Sequence, residues 1–265
     1  MRLRGRDMIR VGNMAPNLPP GCDLVAYGGN AEDVVLVRTF GDRPGGFFVD
    51  VGAGNPVQGS LTKNLVDRLG WRGVNIEPLP ERFERLRAAR PGDVTLDVAI
   101  GERPGLASFF RIVPGPGKTG GGGLSTLERD VLALHLADGW RCEELRVEVT
   151  RLETVLSDYA QPGFDLLKVD VEGAEASVLA SADLAAWRPR AIVIEATVPL
   201  TSRPSHHEWE PGLLAAGYEL ALFDGLNRFY ARDDEPELRE RLSVPANVLD
   251  NYIPYRWAVR LGLAV

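Results

Sequence analysis

Apolar residues along this chain fall into short, nearly unbroken runs separated by amphipathic stretches. Residues 47–51 (FFVDV), 74–76 (VNI), 94–100, 166–171 (LLKVDV) and 191–196 (AIVIEA) are short and rich in β-branched side chains. Runs of that kind mark strands covered on both faces of a parallel sheet. Between them, residues 79–90, 151–159, 172–182 and 208–216 read as helices, with Thr150 as a polar start and Gly217 as a stop. Alternating strands and helices predict a parallel sheet with right-handed crossovers. After Gly217 the pattern changes: residues 218–224, the pair Gly225-Leu226 and residues 227–231 read as a hairpin. The expectation is an α/β fold, doubly wound, with a mostly parallel seven-stranded sheet and an antiparallel C-terminal hairpin. Two excursions interrupt it, residues 1–29 and the glycine-rich residues 114–123 (PGPGKTGGGG), which hold little prospect of regular structure. The expected division is an N-terminal extension (1–26), one catalytic-size domain (27–250) and an apolar tail (251–265).

Composition narrows the class. A chain of 265 residues, 45% hydrophobic, can bury one full α/β core, so disorder is not expected. The net charge of −7, with no Lys/Arg-rich run, speaks against a nucleic-acid partner, which needs a basic face. Cys22 and Cys142 stand far apart with no CxxC, so no zinc site of the usual spacing exists. They read as two reduced thiols of a cytoplasmic protein. Residues 1–20 carry Arg2, Arg4, Arg6, Asp7 and Arg10 and no apolar stretch suited to a signal peptide. No segment approaches the ~20 apolar residues of a membrane span. Residues 252–265 are expected to pack on the domain or on a partner. The oligomeric state stays open, a homodimer included.

The chemistry concentrates at the ends of the expected strands. Phe47 to Pro56 (FFVDVGAGNP) is a hydrophobic strand, an acid, a Gly-x-Gly turn and the expected start of a helix, where Pro56 suits the first turn. The carboxyl end of a strand is where doubly wound sheets bind ligands. The dinucleotide fingerprint needs a third glycine at position 57, which is valine; Gly59 is displaced by two. A ligand without phosphates fits better, and S-adenosylmethionine is one, with an ammonium that Asp50 is placed to favour. Glu77-Pro78 ends the second strand, about 23 residues past Gly54, where an acid accepts hydrogen bonds from ribose hydroxyls. Asp97 ends the third, placed for an adenine amino group, with Val98 beside the ring. Gly117-Lys118-Thr119 resembles the end of a phosphate-binding loop, but the glycine required five residues earlier is Ile112. It reads as a surface loop or lid.

These residues resemble the FkbM family of methyltransferases. The resemblance rests on residues 50–56, 166–175 (LLKVDVEGAE) and 191–197. Tyr27 to Asp33 (YGGNAED) is similar to a stretch that precedes the core in that family, which tends to have Ser-Gln where Gly28-Gly29 stand. Gly122 to Leu127, residues 205–211 and residues 223–230 (FDGLNRFY) extend the resemblance to about residues 27–250. It implies a class I methyltransferase fold and S-adenosylmethionine as donor. The acceptor it implies is a hydroxyl, commonly of a sugar or a glycosylated natural product. The implied cofactor contacts are Asp50, Gly52, Ala53, Gly54, Asn55, Glu77, Pro78, Asp97, Val98, Ser125, Asp170 and Glu172.

Methyl transfer to a hydroxyl needs oxygen, methyl and sulfur held in line, and a base or a metal to deal with the proton. Asp170, at the end of the fourth strand, and His206, in the loop after the fifth, are the candidate catalytic residues. Asp170 and Glu195 on adjacent strands could instead share a divalent cation such as Mg²⁺, unless Lys168 and nearby arginines neutralise them. His135 reads as structural among Leu132, Leu134 and Leu136, and Trp209 and Tyr230 as core aromatics or sugar-stacking rings. Three other readings stand beside this one: a methyltransferase on a non-sugar acceptor, an NAD-type Rossmann oxidoreductase, and a non-catalytic S-adenosylmethionine-binding module.

Overall fold

The computed structural model describes residues 18–263. The charged stretch from Arg2 to Arg10, and with it most of the expected N-terminal extension, lies outside them. The chain begins with β1 (Leu24–Ala26) and α1 (Glu32–Phe40), then enters the sheet with β2 (Phe47–Val51), α2 (Lys63–Leu69), β3 (Arg72–Ile76), α3 (Pro80–Ala89) and β4 (Val94–Leu96). An excursion follows: β5 (Ala99–Ile100), β6 (Gly105–Val113), α4 (Arg129–Ala137) and β7 (Arg141–Thr150). The sheet resumes through α5 (Leu152–Tyr159), β8 (Leu166–Val169), α6 (Glu175–Leu179), α7 (Leu184–Trp187) and β9 (Ala191–Glu195). It closes with α8 (Glu210–Ala215), β10 (Tyr218–Phe223), β11 (Asn227–Arg232) and α9 (Pro236–Leu242), before β12 (Tyr252–Pro254) and α10 (Tyr255–Arg260).

The principal sheet has the order β10-β11-β9-β8-β2-β3-β4. The five strands from β9 to β4 pair in parallel, and β11 runs antiparallel to both β9 and β10. Alternation along each strand divides the core between the two faces. Val49, Val51, Leu167, Val169, Ile192 and Ile194 pack on one side with α5 and Trp209. Phe48, Leu166, Val193 and Phe229 pack on the other with α1, α2 and Trp71. Each fully buried aliphatic side chain contributes about 1.5–3 kcal/mol, which is why these strands carry almost no polar residues. Asp50, Asn75 and Lys168 within the strands, and Glu195 and Asn227 at strand ends, are the buried exceptions.

Several sequence expectations change. Residues 94–100 are not one strand: β4 ends at Leu96, and β5 joins β6 and β7 in a separate three-stranded sheet. The helix expected at Pro56 is absent, because the chain turns through Gly59 at φ +82° and helix begins only at Lys63. The helix expected over residues 172–182 is only α6, since Glu172 and Gly173 hold φ of +56° and +103°. Thr150 ends β7, and Arg151 occupies the N-cap of α5. The tail packs on the domain: β12 pairs in parallel with β1, and Ala258 is buried beside Val25 and Ile253. Among the described residues no helix is long and apolar enough to cross a membrane.

Candidate active site

β2, β3 and β8 lie side by side, so their carboxyl ends open onto one space. A cavity of about 240 Å³ sits there. Gly52, Ala53, Gly54 and Asn55 form its floor, with Glu77 and Pro78 beside them, Val98, Phe109, Ser125 and Leu127 opposite, and Lys168, Asp170 and Glu172 at the third side. The approach of β2 to β8 explains Gly52. At φ +78°, a Cβ there would stand 1.8 Å from the carbonyl oxygen of Asp170. Any side chain would force the two strand ends apart.

Glu77 is buried, and both carboxylate oxygens accept backbone N–H bonds: Oε2 from Gly54 and Oε1 from Leu79, each at 2.9 Å. The acid therefore fixes the Gly-x-Gly turn from across the strand while retaining lone pairs for a ligand. Burial raises its pKa, against the pull of Arg82 at 3.9 Å and of the two N–H donors.

Asp50 stands behind the cavity. It alternates with Val49 and Val51, so it faces the opposite side of the sheet, where Thr62 donates to it (3.1 Å) and Lys168 pairs with it (3.1 Å). Its charge is met by Lys168, which also donates to the Gly52 carbonyl (2.6 Å) and stands 3.6 Å from Asp170. Burial alone would lower the pKa of this ammonium; the carboxylates of Asp50 and Asp170 outweigh it and raise it. Asp97 is exposed and is not among the residues lining the cavity, because the chain leaves the sheet after Leu96.

The loop after β8 is tied by a residue that strand-end reasoning passed over. Glu175 Oε1 accepts from the N–H groups of Val171 and Gly173, both at 3.1 Å. Thr126 donates to the Glu172 carbonyl (2.8 Å), which pins this loop to the residues 122–127 that cover the cavity. Holding Glu172 at positive φ costs about 1–3 kcal/mol, and these bonds offset it. Burial is the first cause raising the pKa of Glu172, and Asp170 and Glu175 add to it as like charges. Glu175 is raised to about 7, again chiefly by burial.

Glu195 ends β9. One oxygen each from Asp170, Glu172 and Glu195 lie within 4.8 Å of one another. Burial, then repulsion from Asp170, Glu172 and Glu175, drives the Glu195 pKa strongly upward. His206 is not part of the cavity wall. Its ring is buried against His207 (4.1 Å between centroids) and Trp209, with Nε2 3.7 Å from Glu210, and burial lowers its pKa. Tyr230 and Trp209 are buried core aromatics in edge contact (6.1 Å). His135 is fully buried on α4.

The Gly117-Lys118-Thr119 segment is not a phosphate cradle. Lys118 is engaged with Asp138 (2.8 Å) and stands over the Trp140 ring. The family-like segment before the core has its own reason. Asp33 accepts from the N–H groups of Tyr27 (2.8 Å) and Gly28 (3.1 Å) and from Asn64 (2.6 Å). A Cβ on Gly28 would meet Glu32 Oε2 at 2.3 Å, so glycine fits where the family tends to have serine.

The cavity lies at the strand ends where α/β sheets bind ligands, and comparison with known proteins gives the class. Residues 50–220 match the family model described as the methyltransferase FkbM domain. The chain belongs to that family and is a methyltransferase, with S-adenosylmethionine as the family's donor. Among solved structures it is similar to a TehB-like SAM-dependent methyltransferase from Corynebacterium glutamicum, at 11% identity and a TM-score of 0.40. That alignment covers 76% of this chain and 87% of the other. No curated protein matches.

Proposed function

We propose that the enzyme transfers the methyl group of S-adenosylmethionine to a hydroxyl oxygen of a sugar or of a glycosylated natural product. The observation that carries the proposal is Glu77, a buried acid fixed by Gly54 and Leu79 at the wall of the strand-end cavity. There it accepts the ribose hydroxyls, while Val98 and Phe109 offer an apolar side to the adenine. The backbone of Gly52 to Asn55 takes the amino-acid end, and Asp170 and Glu172 set negative potential beside the sulfonium.

In this scheme the acceptor oxygen attacks the methyl carbon in line with sulfur. The carbon–sulfur bond breaks, its electron pair stays on sulfur, and the hydroxyl proton passes to a carboxylate. Asp170 is the base of the proposal, because it lines the cavity and its side chain is 38% exposed. A base must reach the proton it takes, and His206 packs outside that wall. A divalent cation on Asp170 and Glu195 is the alternative route: it would lower the hydroxyl's pKa itself, with Asp170 as its ligand rather than as the base. A hydroxyl needs a base or a cation to give up its proton, and the carboxylates beside the cavity can supply either; a small hydroxy-acid, an amide or a polyketide hydroxyl is the rival acceptor.

The test is turnover with methyl-labelled S-adenosylmethionine and a panel of sugars, hydroxy-acids and amines. Label recovered in alkali-stable ethers is the expected result. Label found only in alkali-labile esters or in amines would contradict the hydroxyl assignment.

A further inference from the structure

We infer that Asp170, Glu172 and Glu195 form a binding site for one hard divalent cation, Mg²⁺ or Mn²⁺. Asp170 and Glu172 follow β8, and Glu195 ends the adjacent strand β9, so the sheet itself brings them together. One oxygen from each lies within 4.8 Å of the other two. Oxygens bound to one ion at 2.0–2.6 Å stand no more than about 4–5 Å apart, so small side-chain rotations bring all three to a common centre.

The charge balance calls for such an ion. Lys168 is already divided between Asp50 and Asp170, and Arg82 stands beside Glu77. Among the described residues no lysine or arginine forms an ion pair with Glu172 or Glu195. Glu195 gives the independent sign. It is 8% exposed, and its Oε2 is sealed from solvent with no hydrogen-bond partner. A buried carboxylate oxygen without a partner is costly, and structures keep one where a proton or a cation meets it. One oxygen of the same carboxylate reaches the other two, so a cation at their centre would meet this buried group. Three carboxylate oxygens, with no thiolate or imidazole among them, suit Mg²⁺ or Mn²⁺ rather than Zn²⁺. Water and the acceptor hydroxyl would complete the coordination. Polarisation of that hydroxyl rests on the methyl-transfer reading; the binding of the ion does not.

The experiment is a titration of the full chain, free of cofactor, with Mn²⁺ followed by electron paramagnetic resonance. The expected result is one Mn²⁺ per chain, displaced by Mg²⁺. Glu172→Gln and Glu195→Gln should each weaken binding by about tenfold or more. Thermal unfolding runs alongside, and Mn²⁺ should raise the midpoint of the native protein but of neither variant. If one variant does not fold, the other decides. Mn²⁺ that stays wholly free at millimolar concentration would overturn the site, as would variants that bind it like the native chain. A native chain blind to Mn²⁺, with both variants losing affinity for S-adenosylhomocysteine, would assign the carboxylates to the cofactor's ammonium. The cation would then be wrong and the methyltransferase reading intact. Mn²⁺ binding without any S-adenosylhomocysteine binding would have the opposite meaning.

Discussion

The two ends of β8 carry acids in opposite circumstances. Asp165, just before the strand, is buried and fully met: Arg43 pairs with it, Arg190 stands at 3.5 Å, and the Phe47 N–H donates to it at 2.9 Å. Asp170, just after the strand, shares one lysine with Asp50 and faces Glu172 and Glu195, which have no cation of their own among the described residues. Four residues of strand separate a structural acid from a cluster left uncompensated. Such a cluster lowers stability unless something binds there, and it lies at the strand end where ligands bind in this architecture. Charge at the amino end of the strand is met within the fold, and charge at its carboxyl end is what the proposed function assigns to a ligand.

Mutation of the two acids separates these roles. Asp165→Ala removes the buried acceptor of the Phe47 N–H and the partner of two partly exposed arginines, and should cost about 1–3 kcal/mol of stability in denaturant unfolding. Asp170→Ala, at a half-exposed site with competing acids, should cost less than about 1 kcal/mol. Equal losses would erase the distinction.

Glu32 extends the comparison. It lies on the carboxyl side of the sheet, buried, accepting from Asn227 (2.7 Å) and the Asn30 N–H (2.9 Å), and among the described residues no lysine or arginine pairs with it. Burial raises its pKa to about 7 from the ordinary 4.5, and Asp33 beside it rises to about 6 for the same reason. A carboxyl group that holds its proton more tightly when folded stabilises the fold fully below its unfolded pKa. That contribution is lost as pH rises through the folded value. Stability should therefore fall between pH 4.5 and 7, by up to about 3 kcal/mol for Glu32. Unfolding midpoints across that window should fall less steeply in Glu32→Gln. Identical slopes would mean that Glu32 gains nothing from its proton.

The sequence was most readable where residues repeat one environment. β2, β8 and β9 are buried on both faces, so their apolar runs are continuous, and α3 and α5 fall within the stretches expected from periodicity. β6 and β7 were not legible. β7 reads RCEELRVEVT, and its charged residues lie on an exposed face of a small outer sheet, so its hydrophobic signal is half that of a central strand. In the site, the Gly-x-Gly turn, Glu77-Pro78 and Asp170-Val171-Glu172 were visible as strand ends, and the structure brings them to one cavity. Asp50 and Asp97 could not be placed by that rule. Which face Asp50 takes depends on strand alternation, and Asp97 depends on where the chain leaves the sheet. Glu175 works through backbone N–H groups of its own loop, and only the EGAE spacing hinted at it.

In the proposed function the cavity at the ends of β2, β3 and β8 is the cofactor site, with Glu77 as its ribose acceptor. Calorimetric titration with S-adenosylhomocysteine tests it most directly, on the native chain and on Glu77→Ala with folding checked by circular dichroism. The account predicts saturable binding by the native chain and a loss of about 1.5–3 kcal/mol in the variant. Heats of dilution alone from the native chain, or full affinity in a folded Glu77→Ala, would contradict it.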